Sequence, residues 1–152
     1  MGNTKAIGVA YSDQDIDGGT IGAVIPSTIV GTTVYATSEI GYSAAAQGAV
    51  TQLTDKSTAV TLNKSAGRIT MNNAALAGST AVSFTLNNST ISTNDTIIVC
   101  VSSVTTGSTA GAYTSYVSNM SAGSASITLR NLSATSYSEA VIINFAIIHS
   151  AS

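Results

Sequence analysis

TAVSFTLN, residues 80–87, is the stretch that decides the fold class. Val82, Phe84 and Leu86 fall on one side of an extended chain, with Ser83 and Thr85 on the other. An apolar period of two marks a strand with one buried and one solvated face. The same alternation sets Ile69 and Met71 against Arg68, Thr70 and Asn72 in GRITMN, residues 67–72. Working outward, six more strand-like runs follow the same logic. They are GAVTQL (48–53), TAVTLN (58–63), DTIIVCVSSV (95–104), AYTSYVSN (112–119), SASITLRNL (124–132) and EAVIINFAIIHS (139–150). Turn clusters such as NKSAG, NNAALAGS, TTGSTAG and NMSAGS separate them. Eight short strands punctuated this way predict an all-β domain over residues 48–152, built as a sandwich, jelly roll or barrel. One helical turn fits residues 73–76, and no segment carries a helical period.

Residues 1–47 read differently. Gly8, Gly18, Gly19, Gly22, Gly31, Gly41 and the single proline, Pro26, break the segment into short β-branched pieces. It is expected to be an extended arm that docks on a partner. Ile7, Val9, Ile16, Ile21, Val24, Ile25, Ile29 and Val30 are its candidate contacts, because so many apolar residues are unusual in a free linker.

Composition narrows the function. Only 8% of the 152 residues are charged, while 44% are hydrophobic. Disorder by composition needs the opposite balance. Polarity comes from Ser and Thr, about 45 residues together. A surface so poor in charge is a solubility risk for a free monomer, which points to burial against other subunits. Lys5, Lys56, Lys64, Arg68 and Arg130 are scattered, and the net charge is -2, so nucleic-acid binding is not expected. The longest apolar run, residues 140–148, is too short for a membrane helix. The opening residues lack the pattern of a secretory signal, so synthesis in a cytoplasm is expected. Cys100, alone in the chain, reads as a small buried hydrophobe, and no disulfide or cofactor is expected.

Residues 97–101 and 141–148 are almost continuously apolar, so both faces of those strands need cover. The core supplies one cover. The other is expected from a neighbouring subunit, the alternative being the chain's own arm. Val141, Ile143, Phe145 and Ile147 are the candidate interface residues, joined by Tyr113 and Tyr116, whose rigid amphipathic rings suit an interface or a sugar.

Catalytic chemistry finds little in the sequence. Asp13, Asp15, Asp17 and Gly18 begin like a calcium loop, but the twelfth position holds Val24 instead of an acid. His149 is the one histidine, and among so many hydroxyls a nearby serine carries no information. Beyond the arm's expected span, Asp55, Asp95 and Glu139 are the only carboxylates. No enzyme is expected.

The opening NTKAIGVAYSDQDIDGGTI resembles the start of small structural proteins of tailed bacteriophages. GAVTQLTDKSTAVTLNKSAGRITMNNAALAG, then VSFTLNNSTI and SEAVIINFAII, resemble a virion β-module found in capsid-associated and tail-fibre-like proteins. The resemblance implies an eight-stranded antiparallel jelly-roll-like sandwich that assembles as a homotrimer on the virion. It implies a capsid decoration (cement) protein whose partners are the major capsid protein and copies of itself. A tail-fibre or receptor-binding tip is the alternative, and a lectin-like module a remoter one. No catalytic residues come with the resemblance.

Overall fold

The computed structural model describes residues 33–107 and 109–150. The chain divides into Met1–Glu39 and Ile40–Ser152. The candidate arm contacts Ile7 through Val30, and the Asp13–Asp15–Asp17 loop, lie outside the described residues. Ile40–Ser152 holds the β-domain, which therefore begins before the expected boundary at residue 48.

Every predicted run contains a strand: β1 (Gln47–Thr51), β2 (Val60–Thr61), β3 (Ala66–Thr70), β4 (Ala81–Asn87), β5 (Thr96–Val104), β6 (Tyr113–Ser121), β7 (Ser124–Asn131) and β8 (Val141–Ile148). They form two four-stranded sheets, ordered β1-β3-β8-β5 and β2-β4-β7-β6. The sheets pack face to face as a β-sandwich around one apolar core.

The expectation of wholly antiparallel sheets is corrected. β1 pairs with β3, and β2 with β4, in parallel. The cause is the route of the chain. From β1 to β6 it changes sheet at each connection, so alternate strands return to their own layer running the same way. β8 and β7 are inserted against the run of their sheets and pair antiparallel on both sides. β6 and β7 form a tight hairpin whose turn holds Gly123 at φ +79°, a left-handed geometry that costs glycine little. The helical turn expected at residues 73–76 is also absent. Leu76 bridges Tyr137 there, and single 3-10 turns occur at Ala44–Ala46 and Ala110–Ala112.

The period of two sorts the side chains as predicted for β4: Phe84 and Leu86 are buried, and Ser83 and Thr85 face out. Ile69, Ile127, Leu129, Val141, Ile143 and Ile147 fill the middle of the core with essentially no exposure. Gly67 lets the Phe145 ring and Leu62 lie directly on the backbone, since a Cβ there would come within 2.6 Å of Leu62. At one end of the sandwich the Lys56 ammonium is buried and donates to the carbonyl oxygens of Asn72 and Glu139. Burial pushes this lysine's pKa down, against the opposing attraction of the Glu139 charge.

The outer faces of the two sheets differ. Across β4, β7 and β6 the outward side chains include hydroxyls joined to one another, with Tyr116 and Arg130 on the same face. Ser83 and Thr128 lie 2.7 Å apart, Thr128 donates to Ser118 at 2.9 Å, and Ser118 donates to Ser126 at 3.2 Å. Across β8 and β5 the outward side chains are Asn144, Ala146 and Ile148, facing Thr96, Ile98 and Cys100, while Ile142 on the same face is buried. Ile98 and Ile148 are 54% and 56% exposed.

Candidate functional site

The expected interface residues on β8 require correction. Val141, Ile143, Phe145 and Ile147 all point into the sandwich and belong to its core, so they offer no surface to a neighbour. The run is apolar on both faces, and the face available to a partner is the opposite one, ending at Ile148. Tyr113 is likewise buried, edge-to-face against Tyr137 at 6.2 Å between centroids. Burial raises the pKa of its phenol, and Glu139 adds to the rise. Tyr116 is 47% exposed and remains available. Cys100 is exposed, contrary to expectation, because Ile97, Val99 and Val101 take the inward positions of β5.

Three residues that the sequence reading left apart are brought together at the end of β8. Asp95 closes the turn before β5, His149 follows β8, and Ser65 precedes β3. His149 Nδ1 lies 3.0 Å from Asp95 Oδ2, and His149 Nε2 lies 3.1 Å from Ser65 Oγ. With the proton on Nδ1, the ring donates to the carboxylate and accepts from the hydroxyl. These are the roles that a nucleophile, base and orienting acid require.

Each member is fixed by its own local structure. Asp95 is buried, and its two oxygens share four donors. Oδ2 accepts from the Ser92 backbone N–H at 2.8 Å and from His149; Oδ1 accepts from the Ser92 hydroxyl at 2.8 Å and the Ser150 N–H at 3.1 Å. The Ser92 backbone bond above all, helped by the Ser150 N–H, the Ser92 hydroxyl and His149, holds the carboxyl well below the usual carboxylate range despite its burial. The carboxylate is therefore charged at neutral pH. Ser65 ends a loop tied down on several sides. Leu62 N–H donates to the Asn87 carbonyl, Asn88 Nδ2 to the Lys64 carbonyl, and Lys64 Nζ to the Ala45 carbonyl. The Ser65 carbonyl in turn accepts from Ile147 N–H at 2.8 Å.

Beside the histidine lies a groove of about 620 Å³ lined by Ile40, Gly41, Tyr42, Ile148 and His149. Its walls are mainly apolar, and the imidazole, 40% exposed, contributes an edge. Tyr42 is held there by its hydroxyl, which donates to the Ile147 carbonyl.

The sequence offered His149 but no way to choose its partners. Ser65 is one hydroxyl among many, and Asp95 sits in a polar stretch, NNSTISTND, that reads as an ordinary turn. No family model, curated protein or solved structure matches the chain.

Proposed function

We propose that the chain is a bacteriophage virion structural protein, a capsid decoration (cement) protein that assembles as a homotrimer on the outer capsid surface. The observation that carries this reading is the asymmetry of the two outer faces. Linked hydroxyls solvate much of one sheet, beside the exposed Arg130 and Tyr116. The other presents Ile98, Cys100, Ala146 and Ile148 in a contiguous patch, with exposed aliphatic side chains of the kind that mark contact sites. In this reading the β8–β5 face joins copies of the chain, and residues 1–39 supply the contact with the major capsid protein. The phage resemblance of the sequence supports the setting. The jelly-roll-like architecture that it implies shares the two four-stranded layers, from which the two parallel pairs depart.

The test mixes the full chain, and a chain lacking Met1–Glu39, with undecorated capsids of the phage that encodes it. Co-sedimentation of the full chain alone, with both chains forming the same oligomer, is the expected result. Capsid binding by the shortened chain would remove the arm from the proposal. A copy number matching tail fibres instead of the head lattice would favour the fibre alternative.

A further inference from the structure

We propose that Ser65, His149 and Asp95 form a nucleophilic site that hydrolyses carboxylic esters with an apolar acyl group, received in the groove beside Ile148. This goes beyond the assembly role, and it requires that the contact between copies leave the Ile148 end of the groove open.

A purely structural staple would need less than is present. Asp95 and the main chain suffice to pin the segment after β8 to the turn before β5, through the Ser150 N–H and His149 Nδ1. The far edge of the ring, Nε2, has no structural task in that staple, yet it meets a hydroxyl at 3.1 Å. Nor is the Ser65 side chain needed to join β3 to β8, because its carbonyl already accepts the Ile147 N–H. The backbone holds the strands and the hydroxyl is left to the imidazole. Among the described residues no carbonyl accepts the Ser65 N–H; the facing carbonyl, Ile147, accepts from Tyr42 instead.

The chemistry balances with water alone. Ser65 Oγ attacks the ester carbonyl carbon while its proton passes to His149 Nε2. The tetrahedral oxyanion collapses, the C–O bond to the alcohol breaks, and Nε2 returns the proton to the departing alkoxide. Water then attacks the acyl-serine, giving its proton to Nε2, and the carboxylic acid leaves as Ser65 Oγ regains a proton. Asp95 acts as a positioning residue that keeps the Nδ1 proton and orients the ring. The lining by Ile40, Tyr42 and Ile148 selects an apolar acyl chain over a charged one.

The experiment uses the full chain with p-nitrophenyl butyrate at mildly alkaline pH. Its second arm is covalent labelling by an alkyl fluorophosphonate, mapped by peptide mass spectrometry. Turnover that falls by about 10²-fold or more in Ser65→Ala and in His149→Ala, with the label on Ser65, is the expected result. Ser65→Ala is checked for an unchanged unfolding midpoint, so its lost activity is not lost fold. Turnover equal in wild type and Ser65→Ala, or no turnover together with no label on Ser65, overturns the proposal.

Discussion

The Tyr42 hydroxyl donates to the main-chain carbonyl of Ile147, joining residues 105 positions apart in sequence. The contact places the segment before β1 inside the domain, where Gln47 Nε2 also reaches back to the Tyr42 carbonyl at 2.7 Å. Tyr42→Phe keeps the ring and removes one hydrogen bond, so it is expected to cost about 1 kcal/mol in urea unfolding. A chain starting at Ile40 keeps this contact and serves as the reference in urea unfolding. One starting at Gly48 loses Tyr42 and the first residue of β1, and should unfold markedly earlier.

The two faces of β8 give opposite expectations for neighbouring isoleucines. Ile143 is wholly enclosed, and Ile143→Ala should cost about 2–5 kcal/mol through lost burial and the cavity left behind. Ile148 is 56% exposed, and Ile148→Lys should stay within about 0.5 kcal/mol of wild type. If the β8–β5 face joins copies of the chain, Ile148→Lys and Ile98→Lys shift the light-scattering mass toward a monomer. A stable variant that keeps its oligomer would move the interface elsewhere.

The β8 comparison also marks what was legible in the sequence. Strand positions were, because TAVSFTLN and GRITMN alternate cleanly and turn residues separate the runs. The buried face of VIINFAII was not, since isoleucine occupies both sides and only Asn144 breaks the run. The parallel pairs were also hidden. They arise from the chain's repeated passage between layers, a long-range property that no local period records. The Ser65–His149–Asp95 group is assembled from three loops at one end of the sandwich, and Ser65 is one of the many hydroxyl residues of this chain.

Glycine substitutions should separate side-chain from backbone crowding. A Cβ on Gly78 would lie 2.3 Å from the Ala134 carbonyl carbon and oxygen, which are main-chain atoms of a fixed loop. A Cβ on Gly67 would press on Leu62 and Phe145, whose side chains can rotate away. Both alanine variants should lose stability, about 1–3 kcal/mol for Gly67→Ala and at least as much for Gly78→Ala. Pairing Gly67→Ala with Leu62→Ala should recover part of the loss, whereas no single side-chain trimming should rescue Gly78→Ala.

Acid stability should depend on Asp95. Its pKa is lowered in the folded chain, so between the folded value and the unfolded value near 3.8 the unfolded chain binds more protons. Stability from this group is therefore complete above about pH 4 and declines as pH falls toward the folded pKa. Asp55, lowered chiefly by the hydroxyls of Ser57 and Thr58, acts in the same direction but is solvent-exposed and screened. Asp95→Asn replaces an acceptor of four donors with a group that can no longer bear the charge. The variant should unfold at a lower temperature than wild type at pH 7, and the gap should narrow as pH is taken below 4, where wild type loses what the variant already lacks. Melting curves at several pH values that run parallel for the two proteins would show that the Asp95 carboxylate contributes nothing as a charge.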